Sequence, residues 1–208
     1  SQPRPILRRM LRAILAVAGA KQGARRVPTS TTCAATEGVV ARRRLRRGAQ
    51  RRRGRSGQRR AVALMLLYGH RWTVLLPRVV RRLEHLGFAW PLLIVSIGDA
   101  ASAACRDAAR GRSRHRSRLG RLPLPIACWR PNTESQVHRF TITHVLLHLG
   151  IDVFYFDFDT FFLRNPLPLV MAETRRGGLD ALFASHADGD CVNIGLFYLR
   201  ATGRTAKW

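Results

Sequence analysis

The stretch DVFYFDFDTFFLRNP, residues 152–166, sets three carboxylates inside a run of aromatic residues. Its composition reads as a buried strand, and a buried carboxylate without a partner costs several kcal/mol or takes up a proton. In a strand Val153, Tyr155, Asp157 and Asp159 point to one side and Phe154, Phe156 and Phe158 to the other. Asp157 and Asp159 are therefore expected to reach one place, at the end of the strand where open α/β sheets keep their ligand crevice. Two neighbouring carboxylates repel unless a cation or a shared proton lies between them, so a divalent metal is the economical partner. Oxygen-only ligands favour Mg²⁺ or Mn²⁺ over zinc. Asp-x-Asp is also a short pattern, and either acid can instead cap the following turn through Thr160.

The segment just before it, TESQVHRFTITHVLLHLG (residues 133–150), reads as a helix. Thr133 and Gln136 have capping-box spacing, and Gly150 suits the position after the helix. The spacing puts Val137, Phe140, His144 and Leu147 on one stripe, which makes His144 a core-edge histidine rather than a ligand.

Farther out, strands and helices alternate. AVALMLLYG (residues 61–69) is a continuous apolar run ended by Gly69, as expected of a strand covered on both faces. In WTVLLPRVVRRLEHLG (residues 72–87) Leu76, Val79, Val80 and Leu83 share a helical face and Gly87 closes it. PLLIVSIGDAASAACRDAAR (residues 91–110) predicts a strand to Ile97, a turn at Gly98-Asp99 and an alanine-rich helix. The basic stretch GRSRHRSRLGRLPLP (residues 111–125) reads as a solvated surface loop, and a short strand is expected at Ile126 to Trp129. This order predicts a mostly parallel α/β sheet flanked by helices.

The rest of the chain reads differently. The 208 residues carry a formal net charge of +25, and the first 60 hold seventeen Arg and one Lys against the single acid Glu37. The block at residues 41–60, ARRRLRRGAQRRRGRSGQRR, cannot bury enough apolar surface to offset its ordering entropy. Residues 1–60 are thus expected to form an Arg-rich disordered leader, with a partial α/β domain over 61–208. Such a charge ordinarily suggests nucleic acid or an anionic membrane surface. Lys21 and Lys207 are the only lysines, however, and a skew of that kind is what biased codon composition leaves behind. The apolar run from Ala13 to Ala20 is far below the roughly 18–20 residues of a membrane span, although a signal-peptide core needs only about 7–15. No transmembrane helix is expected, and a targeting remnant is compatible with the pattern. Cys33, Cys105, Cys128 and Cys191 form no CxxC pair and no close His spacing, which argues against structural zinc and leaves the redox compartment open.

Taken together, HRFTITHVLLHLGIDVFYFDFDTFFLRNP (residues 138–166) closely resembles the nucleotide-diphospho-sugar transferases of glycosyltransferase family 77. There, a helix, a Gly-Asp-Val strand, an Asp-x-Asp motif and a Leu-Arg-Asn/Asp-Pro turn follow in that order. HADGDCVNIGLFYLRATGRTAKW (residues 186–208) is similar to the family's Asn-x-Gly-Phe-x-Tyr-x-Arg strand with its trailing Thr and Trp. With the first strand included, the resemblance runs from about Ala61 to Trp208.

The resemblance implies a Rossmann-like GT-A fold and a hexosyl- or pentosyltransferase. Its donor would be a nucleotide sugar, typically UDP-linked, its acceptor a glycan or glycoprotein, and its cofactor Mn²⁺ or Mg²⁺. Asp159 would hold metal and diphosphate, with Asp157 turned toward ribose or sharing the metal. Asn193 and Gly195 would line the donor pocket, with Tyr68 and Gly69 also on the nucleotide-sugar side. The side-chain amide of Asn193 can donate and accept toward hydroxyls, and Gly195 lets backbone approach closely; a bulge in a buried strand accounts for the same pair. Asp188 and Asp190 are candidates for sugar or acceptor contacts, though the ADGD tetrapeptide is also ordinary turn composition. Family membership would imply retention of anomeric configuration and a place in the Golgi or secretory pathway. No catalytic base or nucleophile is identified. The family continues past the point where this chain stops, at Trp208, so a donor-side half of a catalytic domain is expected. Two other classes fit parts of the sequence: a nucleic-acid binder acting through its Arg blocks, and a degenerate domain that binds nucleotide without turnover. The Arg blocks lack aromatic interleaving or any reader motif, so no specific nucleic acid partner is expected.

Overall fold

A computed structural model describes residues 60–110, 123–185 and 191–207. The expected leader apart from Arg60, most of the basic stretch at 111–125, and Asp188 and Asp190 lie outside the described residues. The described chain runs β1 (Arg60–Tyr68), α1 (His70–Thr73), α2 (Leu76–His85), β2 (Leu92–Ile97), α3 (Asp99–Arg110), β3 (Ile126–Trp129), α4 (His138–His148), β4 (Ile151–Phe156), α5 (Leu167–Gly177), β5 (Ala181–Ser185) and β6 (Val192–Leu199), then a single 3₁₀ turn at Thr205–Lys207.

The strands form one six-stranded sheet in the order β3-β2-β1-β4-β6-β5. β1 pairs in parallel with both β2 and β4, and β2 pairs in parallel with β3. β6 runs antiparallel between β4 and β5. The predicted mostly parallel α/β sheet is therefore present, with β6 as the reversed strand. Strand order turns back between β1 and β4, which opens a crevice beyond their carboxyl ends, where open α/β sheets bind ligands.

The apolar runs of β1, β2 and β4 are buried because helices cover both faces. Val62, Leu64, Leu66, Val153 and Tyr155 pack with Ile142, Leu146 and Leu147 of α4. On the other face Ala63, Met65, Leu67, Phe154 and Phe156 pack with Leu76, Val80 and Leu83 of α2, Ala101 and Cys105 of α3, and Leu167 of α5. Among the described residues no helix is long and apolar enough to cross a membrane.

Two expectations for α4 need correcting. The helix begins at His138, and Val137 caps it without a side-chain hydrogen bond, so Thr133 and Gln136 form no capping box. Thr133 instead bonds the His138 ring, and Gln136 turns to Arg139. The buried stripe is Arg139, Ile142, Thr143 and Leu146, with Leu147 beside it. Val137, Phe140 and His144 are exposed, and His144 lies ring to edge against His148 rather than at the core. A charged residue in the inward stripe hides its phase from a purely apolar reading.

A disulfide joins Cys105 of α3 to Cys128 of β3 across 23 residues, with Cα atoms 5.9 Å apart. In the chain-entropy account such a loop contributes about 3 kcal/mol. Cys105→Ser should therefore lower the unfolding free energy by about 2–4 kcal/mol in chemical denaturation. Alkylation before reduction should modify exposed Cys191 and spare Cys105 and Cys128; equal labelling of all three would refute the pairing.

Candidate functional site

The strand β4 ends at Phe156, one residue short of the first candidate carboxylate. Backbone pairing extends by one more bond, from Asp157 N–H to the Gly195 carbonyl at 2.7 Å, and a turn closes with Thr160 N–H donating to the Asp157 carbonyl at 3.0 Å. Asp159 sits in that turn and is exposed. Strand alternation thus carries Asp157 to the expected side, whereas the turn, not the strand, places Asp159. The two still share a wall: Tyr68, Trp72, Asp157, Phe158 and Asp159 line a small crevice at the ends of β1 and β4.

Asp157 has protein partners. Arg139 of α4 donates from Nη1 to both of its carboxylate oxygens, at 3.2 and 3.4 Å, and the Tyr155 hydroxyl donates to Oδ1. Arg139 is itself held: Nη2 donates to the Gln136 side-chain carbonyl at 2.8 Å, Nε donates to the Gln136 backbone carbonyl at 3.3 Å, and the guanidinium lies 5.6 Å from the Tyr155 ring centre. Only about 10% of its side chain is exposed, against 35% for Asp157. Burial, reinforced by the Asp157 hydrogen bond and charge, pushes the Tyr155 phenol well above its ordinary value. It therefore stays protonated at neutral pH and remains a donor to Asp157. Arg139 and Tyr155 were not among the predicted site residues; the one signal for Tyr155 was its place two residues before Asp157.

Gly195 approaches the same carboxylate from β6, with Asn193 beside it in the strand. The β5–β6 register passes from Phe183↔Phe197 to Ala184↔Asn193, so 194–196 bulge out of that ladder. The Asn193 side-chain oxygen accepts from Gly195 N–H at 2.8 Å, which fixes the bulge and leaves its amide N–H₂ as the free donor end. The bulge and the site are thus one feature. A Cβ on Gly195 would stand 2.5 Å from Asp157 Oδ2 and 3.0 Å from Asn193 Oδ1. The close approach expected at Gly195 is made by Asp157.

The third acid of the quoted stretch has a separate role. Asp152 is buried, accepting from Tyr198 O–H at 2.9 Å and from Ala201 N–H at 2.8 Å. It fastens the end of β6 to β4. Beyond the Asp pair, Arg82 of α2 donates to the Phe162 and Leu163 carbonyls, and Asn165 bonds both Gly87 and the start of α5. These bonds hold the 162–165 segment that follows the turn carrying Asp159.

On the other side of Tyr68 lies a larger cavity of about 420 Å³, over the ends of β1 and β2. It falls within the roughly 300–1,000 Å³ of small-molecule sites. Gly69, at φ 71° and ψ 145° between β1 and α1, and Gly98, at φ 84°, form its floor. Asp99, Glu134 and Gln136 stand on its rim. Asp99 accepts from Arg130 Nη1, so its charge is compensated, and His70 also lines the cavity; carboxylate oxygens there can still accept from hydroxyl and N–H donors. Tyr68 is the wall common to cavity and crevice.

Residues 131–208 match the family model of the nucleotide-diphospho-sugar transferases. The matched region contains Arg139, Asp157, Asp159, Asn193 and Gly195, and it supports a glycosyltransferase that takes a nucleotide-sugar donor and an acceptor. No curated protein matches the chain.

Gly195→Ala should displace the Asp157 carboxylate, since backbone on a paired strand cannot yield 1 Å while a side chain can. A loss of about 1–3 kcal/mol in denaturation, as for other overpacked sites, is expected. Unchanged stability together with an unmoved Asp157 in a crystal structure would contradict the close contact.

Proposed function

We propose that this protein is a metal-dependent, retaining glycosyltransferase of the family 77 type that uses a UDP-linked sugar. The observation that carries the proposal is the crevice at the turning point of strand order, where Asp157 and Asp159 meet Tyr68 beside a cavity of nucleotide size. In this reading the base and ribose occupy the larger cavity, with Asp99 and Glu134 accepting their N–H and O–H groups. Past Tyr68 the diphosphate lies toward Asp157 and Asp159, and the free amide end of Asn193 meets sugar hydroxyls.

The residues fit a divalent cation of one kind. Among the described residues no group of three or more His, Cys, Asp or Glu could hold a metal by itself. Two carboxylates together with substrate phosphates and water are a common arrangement for Mg²⁺ and similar cations. Asp159, exposed and free to turn, is the principal ligand in this reading, with Asp157 second. When bound, the ion would neutralise charge developing on the departing diphosphate. The chain's own contribution is preorganisation: Arg139, Tyr155 and the Gly195 backbone fix Asp157, and the hold on the 162–165 segment limits where Asp159 can go. The acceptor is proposed to be a glycan or glycoprotein. The Cys105–Cys128 disulfide supports passage through an oxidising compartment, in keeping with a secretory or Golgi location.

Calorimetry of UDP against the protein should give binding in Mn²⁺ or Mg²⁺ that is lost in EDTA and lost in Asp159→Ala. Equal affinity in EDTA would remove the metal from the proposal, and full affinity in Asp159→Ala would remove the site.

A further inference from the structure

Arg139 occupies the position where a cation would otherwise be expected to act on Asp157. Its guanidinium is almost wholly buried, bonded to both oxygens of that carboxylate, and aimed by two hydrogen bonds that it donates to Gln136. The Tyr155 hydroxyl adds a further hydrogen-bond donor to the same carboxylate. Arg139 and Asp157 therefore sum to zero, and Asp159 alone supplies net negative charge to the crevice. A divalent cation entering there meets one uncompensated carboxylate and one buried positive charge behind its neighbour. We propose that Arg139 makes cation binding at Asp157 and Asp159 conditional on the nucleotide, so that the ion is held only when a diphosphate brings its own negative charge.

The inference rests on the donor-site reading above, and it assigns to Arg139 a role apart from the chemistry. Arg139 is a positioning and charge-setting residue that acts through Asp157. Charges a few ångströms apart interact more strongly in a partly buried site than in bulk water, so removing one charge beside Asp157 is expected to shift the ion's affinity. Linkage makes the effect reciprocal: whatever factor UDP adds to Mn²⁺ affinity, Mn²⁺ must add to UDP affinity.

The test uses the full chain and titrates Mn²⁺ with and without UDP, following the free-ion signal by electron paramagnetic resonance. In the wild type, Mn²⁺ alone should bind at least about tenfold more weakly than Mn²⁺ in saturating UDP. Arg139→Gln removes the charge and keeps a hydrogen-bonding side chain; its affinity for Mn²⁺ alone should rise at least about tenfold, and the coupling to UDP should shrink. Arg139→Lys keeps the charge and should behave like the wild type in Mn²⁺ alone. If Arg139→Gln fails to fold, Gln136→Ala carries the test, because it loosens the guanidinium from an exposed position; Mn²⁺ alone should then bind more tightly by a smaller factor. A wild type that binds Mn²⁺ equally with and without UDP overturns the inference while leaving the donor site standing. So does a folded Arg139→Gln, or Gln136→Ala in its place, with wild-type affinity for Mn²⁺ alone. Failure of wild type and variants to bind UDP or Mn²⁺ in any combination overturns the donor-site reading and this inference with it.

Discussion

The carboxylate of Asp157 is the point on which the molecule's working end depends. It stands one residue beyond β4, and four elements converge on it: Arg139 from α4, Tyr155 from its own strand, Gly195 from the bulge in β6, and Tyr68 from the end of β1 across the crevice. A charge in this position is tolerated because it is paired and only partly buried, and because the partner that pairs it is itself fixed. Removing one member of such a pair leaves the other uncompensated, and that loss far exceeds the worth of an exposed ion pair. The surrounding fold can be understood as what brings these groups together. A parallel sheet covered on both faces sets β1 beside β4, and one reversed strand delivers Gly195 antiparallel to the same tip.

Much of this was legible in the sequence, and the parts that were not have physical reasons. The apolar runs of β1, β2 and β4 could be read because a doubly covered strand has no polar face to confuse the pattern. The Asp pair could be singled out because acids within an aromatic strand are conspicuous, whereas Gly195 came into view only through the family resemblance. The phase of α4 could not be read, since its inward stripe opens with Arg139 and contains Thr143, while Val137 and Phe140 face solvent. The partner of Asp157 was hidden by the same fact. A cation seemed the economical answer because the arginine that supplies it lies eighteen residues upstream, on a helix whose buried face looked apolar. The pairing of Cys105 with Cys128 was equally invisible, because it depends on α3 and β3 packing side by side rather than on any local spacing.

The site also separates two tasks that a two-carboxylate reading merges. Asp157 is fixed by its bonds and paired in charge, whereas Asp159 lies exposed in a turn just before the segment that Arg82 and Asn165 hold. In the proposed donor site the fixed, paired acid would serve orientation first and the exposed one ligation. In the proposed reading the neighbouring cavity would take the rest of the nucleotide, with carboxylate oxygens of Asp99 and Glu134 as acceptors for hydroxyl and N–H donors.

The most direct test of this account is an anomalous-difference map from crystals grown with UDP and Mn²⁺, recorded at the manganese edge. The account predicts a single strong peak between the diphosphate and the carboxylates of Asp157 and Asp159, with the nucleoside seated beside Tyr68 and Arg139 still bonded to Asp157. A manganese or nucleotide bound away from the ends of β1 and β4 would contradict it.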